Sequence, residues 1–247
     1  AVIKEEHYLP AFYEACAEHL AEVQAILDTP GAATFENTIV ALEKAGQYLG
    51  RVLRVFYNKS SSDTNDALDA IEEEIAPKFA AHQDAISLNP VLFKRIKDLY
   101  DARESLGLNS EDAWLLERYY KDLIHEGAHL TEAQRDRLKE LNEQLSSLET
   151  QFSKNVLADT NDLAILVDSV EELDGLSENQ IAAAAAAAKD RGHDGKWLIG
   201  MVNFTGNPVL DSLTNRDLRK KIMEASLLKA IRANDNDNKP VLLKMVK

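Results

Sequence analysis

The chain has 247 residues, with 28 Lys plus Arg against 42 Asp plus Glu, a formal net charge of −14. Nucleic-acid binding needs Lys and Arg gathered on one face, and no basic stripe with interleaved aromatics occurs in a sequence this acidic. The single cysteine, Cys16, excludes an intrachain disulfide framework and a cysteine-rich zinc site, while a hydrophobic content of 45% fits a folded globular protein.

No apolar run approaches the roughly eighteen residues of a membrane span. The opening AVIKEEHYLP has neither the basic region nor the apolar stretch of a signal peptide, and it lacks an initiating methionine. At the other end, Pro240 opens a short helical stretch, PVLLKMVK, with no closing cap. The expectation is that these residues belong to something longer.

The first two thirds are predicted to be helical. Pro10 suits a first helical turn, and Phe12, Cys16, His19/Leu20, Val23 and Leu27 then recur at helical spacing until Thr29-Pro30-Gly31. Thr34 is expected to cap a second helix carrying Ile39, Leu42, Leu49, Leu53 and Phe56. A polar turn at 60–66 leads to a third helix with Leu68, Ile71, Ile75 and Phe79. Asn89-Pro90 starts a fourth, running to about Leu106 and Gly107, and Ser110 is expected to cap a fifth with Trp114, Leu116, Tyr119, Tyr120 and Leu123. Thr131 and Gln134 form a capping box for a long sixth helix, in which Leu138, Leu141, Leu145, Leu148 and Phe152 alternate three and four apart. That stripe predicts burial against a neighbouring helix in an antiparallel hairpin.

Beyond Asn161 the texture changes. LAILV at 163–167 and WLIGMV at 197–202 read as short strands, pairing with each other or with strands elsewhere. Between them Ser177 and Gln180 cap a helix with seven successive alanines, 182–188, ended by Gly192. GNP at 206–208 is predicted to turn, Thr214 to cap a helix with Leu218, Ile222 and Met223, and NDNDN at 234–238 to form a loop. The domain reading is a helical portion over 1–161 and a small α/β portion over 162–247, truncated at its C-terminal end.

One motif invites a metal reading. Residues 125–129, His-Glu-Gly-Ala-His, match H-E-x-x-H, in which two histidines one helical turn apart hold zinc and the glutamate takes a proton from metal-bound water. Gly127 at its centre weakens a helix, and Thr131 starts a new one two residues after His129, so the motif is expected to straddle a helix end. Glu143 and Glu149 are the candidates for a third ligand, and nothing in the sequence marks either as buried. The plainer reading is a pair of solvated histidines near a helix C-terminus.

Other features also have plain readings. His7, His19, His82 and His193 are scattered, with His19 at a core edge, and Cys16 reads as a small buried hydrophobe. Glu72, Glu73 and Glu74 form a solvated helix face. Asn234, Asp235, Asn236, Asp237 and Asn238 resemble a calcium loop but lack its central glycine and terminal glutamate. Asn58-Lys-Ser60 and Asn203-Phe-Thr205 are formal glycosylation acceptors. There is no phosphate-binding glycine loop, nucleophile elbow or dinucleotide fingerprint. No residue is assigned a catalytic, cofactor-binding or metal-ligating role.

Five blocks together carry a resemblance: HYLPAFYEACAEHLAEVQAI at 7–26, TFENTIVALEKAG at 34–46, the stretches 61–90 and 99–132, and LNEQLSSLETQFSKNVLADTN at 141–161. AAAAAAAKDRG at 182–192 and TNRDLRKKIMEA at 214–225 extend it. In order and spacing the chain resembles the N-terminal part of the zinc oligopeptidases related to thimet oligopeptidase, oligopeptidase A and bacterial peptidyl-dipeptidase. The resemblance implies a mainly α fold, a helical bundle forming one wall of a clam-shaped metallopeptidase, with substrates that are short peptides. It implies zinc in the parent enzyme and none in these residues. The family's zinc helix, later glutamate and transition-state His and Tyr all lie in the C-terminal half, which is the missing partner of this part. His125, Glu126 and His129 correspond to an ordinary helix–turn segment of the family. The expected surroundings are the cytoplasm, with the periplasm as the alternative, and neither nucleic acid nor membrane is an expected partner. The competing reading is a free-standing acidic helical interaction domain without activity.

Overall fold

The computed structural model describes residues 3–247 apart from the side chain of Phe204. The chain forms two compact units, one ending at Ser147 and the other Leu148–Lys247.

The first unit is helical throughout. Helix α1, Tyr8–Leu27, has Pro10 in its first turn, where the missing N–H costs no ladder bond. Thr34 caps a π-helical turn, Phe35–Val40, by accepting from the Asn37 N–H, and this turn runs into the short α2, Ala41–Lys44. The predicted second helix does not continue. Ala45 is extended and Gly46 left-handed at φ +72°, so a separate helix, α3, begins at Gln47 and runs to Ser62. Glu22 secures this break by accepting the Gly46 N–H at 2.6 Å. Asn65 then caps α4, Asp66–Ser87, and Asn89 caps α5, Pro90–Asp101.

The fourth predicted helix stops short of Leu106, because a 3₁₀ turn at Arg103–Ser105 replaces its last residues. The cap of α6, Ser110–Glu126, is Asn109 and not Ser110: the Asn109 carboxamide accepts from both Glu111 and Asp112 N–H groups. Two apolar clusters hold the unit. Phe12, Leu49, Phe56, Leu68 and Ile75 join α1, α3 and α4, while Ile39, Leu92, Ile96 and Leu116 join the π turn to α5 and α6. Each fully buried side chain of this size contributes about 1.5–3 kcal/mol.

Helix α7, Glu132–Asp162, is the long predicted helix. At its start the Gln134 carboxamide oxygen accepts the Thr131 N–H at 3.0 Å. Its leucine stripe is not buried as predicted: Leu141 and Leu145 are 42% and 37% exposed. The buried residues of α7 are instead Asn155, Asp159 and Thr160. Continuing the three-four spacing from Phe152 lands on Asn155 and Asp159, so the same face passes from apolar to polar and is held there by hydrogen bonds.

In the second unit, β1 (Ile165–Val167) and β2 (Trp197–Ile199) pair antiparallel with each other, Leu166 opposite Leu198. Between them Ser177 and Gln180 form the expected capping box of α8, Glu178–Asp190, which buries Ala184 and Ala188. The predicted turn at 206–208 lies inside a helix, α9, Asn203–Ser212. Pro208 already has a helix-compatible φ, and the cost of one ladder bond is offset by burial of Val209 and Leu213 in the core. Helix α10, Arg216–Leu227, is capped by Asn215, one residue after the predicted Thr214. Thr214 instead donates its hydroxyl to Asp174 Oδ2 at 2.6 Å. Helix α11, Lys239–Met245, closes the described chain. Val167, Leu173, Ile199, Leu213 and Ile222 form this unit's core. The protein is therefore mainly α, with the two short strands confined to the stretch after residue 162.

Candidate functional site

The H-E-x-x-H match ends a helix and does not lie along one. His125 and Glu126 occupy the last turn of α6, and Gly127 caps it at φ +97°. The Gly127 N–H bonds the Ile124 carbonyl at 3.1 Å and the Ala128 N–H bonds that of Leu123 at 2.9 Å, closing the helix before His129 is reached. The left-handed φ favours glycine here, and a Cβ would stand 2.7 Å from Leu138 Cδ2, so that leucine side chain would have to shift to admit one. His125 and His129 thus fall on either side of a chain reversal, both exposed, and Glu143 and Glu149 are exposed on α7. Among the described residues no three His, Cys, Asp or Glu side chains are grouped to hold a metal ion. These donors do not fit the zinc helix of a metallopeptidase, which needs both histidines on one helical turn.

The asparagine-rich segment 234–238 is occupied with its own backbone and with α7. Asp237 accepts from the Ala233 N–H at 3.0 Å and the Lys239 N–H at 2.9 Å. Asn238 accepts from Asn155 Nδ2 and donates to the Phe152 carbonyl, both at 2.9 Å. Asn234 and Arg232 donate to the fully buried Asp159, which also takes the Ala230 N–H at 2.6 Å. The Arg232 bond, backed by those of Asn234 and Ala230, holds the Asp159 carboxyl down at about 2. Sequence reasoning passed over Asp159; its only signal was its place on the stripe of α7.

Cys16 packs partly buried against the first core, and burial pushes its thiol up to about 11. His7 and His193 are exposed. In the Glu72–Glu74 group, Glu74 accepts the Tyr13 hydroxyl at 2.6 Å.

The densest arrangement of chemistry lies in the first unit, where residues of α1 to α6 line an open cavity of about 670 Å³. Its walls include Leu42, Leu49, Leu53 and Phe79. At its base His19 Nδ1 and His82 Nε2 stand 3.0 Å apart in a hydrogen bond between α1 and α4. His82 is only 6% exposed and its Nδ1 has no partner. The less costly tautomer has His82 Nε2–H donating to His19, since a buried N–H without an acceptor is rarer than an under-used acceptor. Burial lowers both imidazoles from their ordinary range, keeping them neutral, and for His82 the neighbouring His19 adds to this. Across the cavity the Tyr119 hydroxyl donates to Glu43 at 2.6 Å, and burial with that bond raises the phenol. Arg118 pairs with Asp122 at 3.0 Å, Glu126 is exposed, and Trp114 is 61% exposed. His19 and His82 were noted separately in the sequence, and no local pattern marks their meeting. A second cavity, about 660 Å³, lies in the other unit along Ala183, Ala184 and Ala187 of α8, whose methyl groups leave room beside β2.

No family model matches the chain. Curated proteins do. The dipeptidyl carboxypeptidase of Escherichia coli (strain K12) is 36% identical over 244 residues, covering 99% of this chain and 36% of that protein. Its counterpart from Salmonella typhimurium is 34% identical over the same share of each chain. Oligopeptidase A of Salmonella typhimurium is 26% identical over 246 residues, covering 98% of this chain and 36% of that protein. Over almost its whole length the chain is similar to part of the proteins named dipeptidyl carboxypeptidase and oligopeptidase A. It spans about a third of the length of the curated relatives it matches.

Proposed function

We propose that these residues are the non-catalytic helical part of a zinc-dependent peptide hydrolase, an oligopeptidase or peptidyl-dipeptidase acting on short peptides. The observation that carries this reading is the 36% identity to a dipeptidyl carboxypeptidase along 99% of the chain. In this reading the chain forms part of a wall that limits access of substrate to a channel. The zinc and the groups that act on the peptide bond come from the portion of the family that these residues do not match. The H-E-G-A-H segment supports such a division, because it cannot present both histidines from one helical turn. The exposed Leu141 and Leu145 of α7 support it as well, since an apolar stripe at helical spacing suits a surface covered by further polypeptide. No described helix is long and apolar enough to cross a membrane. The cytoplasm, with the periplasm as alternative, is the proposed location.

The test has two arms. The purified chain is incubated with internally quenched peptides, with and without added zinc, and its metal content is measured. No hydrolysis and no stoichiometric zinc are expected; hydrolysis abolished by chelator and restored by zinc would overturn the reading. The second arm is the reading frame containing these residues, which is expected to encode an H-E-x-x-H helix downstream of Lys247. A frame without one would favour the free-standing interaction domain.

A further inference from the structure

We infer that the face formed by α10 and α11 is a docking surface for an acidic, apolar-studded part of the same polypeptide that these residues do not include, an assignment that rests on the reading of the chain as part of a longer peptidase. Of the seventeen large hydrophobic side chains that the described residues leave exposed, seven lie in the stretch from Met223 to Val246. Met223 and Leu227 stand one turn apart on α10, 49% and 63% exposed, and Leu243 of α11 is 61% exposed between the exposed Leu242 and Val246. The two helices share one patch. The Asn238 N–H donates to the Ala230 carbonyl at 2.8 Å and Lys239 Nζ to that of Ile231 at 2.9 Å, which folds the start of α11 back onto the residues that follow α10. Helix α11 has seven residues and buries only Val241, which leaves two turns with little to hold them. An apolar surface of this kind marks an interaction site.

Charge and length say what covers it. From Arg216 to Lys247 there are nine Lys and Arg against four Asp and Glu, while the other 215 residues carry 19 against 38. Arg216, Lys221 and Lys244 are exposed and, among the described residues, have no carboxylate partner. In a protein otherwise strongly acidic, a basic and apolar face fits a covering segment that brings carboxylates around apolar anchors. A second copy docking by the same face about a twofold axis would set basic rim against basic rim. The chain spans 36% of the Escherichia coli dipeptidyl carboxypeptidase, so nearly two thirds of such a polypeptide lies outside it and is tethered where it can reach this face.

The experiment is hydroxyl-radical footprinting, which reads side-chain exposure without any substitution, on the product of the whole reading frame and on the 247-residue chain. Met201, 3% exposed, is the buried reference in both, and its protection shows that the second unit is folded. Oxidation of Met223, Leu227 and Leu243 is expected to be at least about fivefold slower in the whole protein than in the chain, with Met223 approaching the rate of Met201. Equal rates in the two proteins would overturn the proposal. Rates that fall in the chain alone as its concentration rises would assign the face to a second copy and overturn it as well. In the whole protein, Lys221→Glu/Lys244→Glu is expected to bring back about half of the lost oxidation at Leu227 and Leu243, and no recovery would overturn the acidic occupant. A whole protein that hydrolyses peptides yet leaves this face as reactive as in the chain defeats the docking surface alone, whereas a reading frame ending at Lys247 defeats the peptidase reading together with it.

Discussion

Replacing Asp159 by asparagine probes the polar knot that holds α7 to the 230–238 segment. The carboxylate is fully buried and accepts from the Ala230 N–H at 2.6 Å, Asn234 Nδ2 at 3.0 Å and Arg232 Nε at 3.1 Å, with the Arg232 Nη2 group in closer contact still. Asparagine keeps one acceptor oxygen and turns an amide N–H toward this set of donors. Breaking a buried pair from one side costs about 3–5 kcal/mol. Arg232 is 28% exposed, so its stranded charge partly rehydrates, and about 3 kcal/mol is expected, the low end of that range.

The assay is urea unfolding of the second unit, followed by Trp197 fluorescence in a Trp114→Phe background. With a slope of about 1–3 kcal/mol per molar urea, the midpoint should fall by about 1–3 M. A second readout tests the charge itself. The carboxyl is held at about 2 in the folded chain, below its ordinary value of 3.8, so the unfolded chain binds more protons in acid. The contribution of Asp159 is therefore whole above the unfolded value and is lost as pH falls toward the folded one. The deficit of Asp159→Asn should shrink over the same interval. A loss below about 1 kcal/mol, or a deficit that stays constant from neutral pH to pH of about 2.5, would refute the assignment of this carboxylate as the anchor.

The 230–238 segment also stores strain in Ala233, which is exposed at φ +55°. Ala233→Gly is expected to stabilise the second unit by about 0.5–1 kcal/mol in the same urea assay, and a destabilisation would show that the left-handed backbone carries no cost there. In the first unit, burial lowers both His19 and His82, so the unfolded chain takes up more protons below its ordinary imidazole value of 6.5. Stability is expected to be full above that value and to decline as pH falls from it toward the folded values. His82→Gln should flatten the decline between pH of about 7.5 and 5, and an unchanged slope would rule the pair out as its source. With its thiol at about 11, Cys16 is expected to react with iodoacetamide at pH of about 8 on the order of a hundredfold more slowly than a free thiol. A rate matching the unfolded chain would contradict its packing against the first core.

Much of the helical architecture was legible locally. A cap satisfies N–H groups two or three residues away, so Thr34, Asn89 and the Ser177–Gln180 box announce their helices without reference to the rest of the chain. The one-residue errors at Ser110 and Thr214 arose because an asparagine stands just before Ser110 and just after Thr214 and takes the cap itself, a residue as good as serine and better than threonine for that role. The turn predicted at 206–208 failed for a different reason: Gly206 and Pro208 mark turns on average, but burial of Val209 and Leu213 outweighed that preference. The break at Gly46 depended on Glu22, a residue 24 positions away, which no reading of 34–56 could include.

What the sequence determined by itself was the class of fold, the positions of most helices and the helix end that parts His125 from His129, because all three rest on interactions within a few residues. Gly127 and Thr131 were enough to end α6 between the two histidines. The tertiary structure alone decided which side of α7 is buried and which polar groups meet. His19 and His82 are 63 residues apart, and Asp159 and Arg232 are 73 apart. Such pairs form only once helices that stand on their own local terms have packed, since the free energy that brings distant polar groups together comes from the apolar cores beside them and not from the groups themselves.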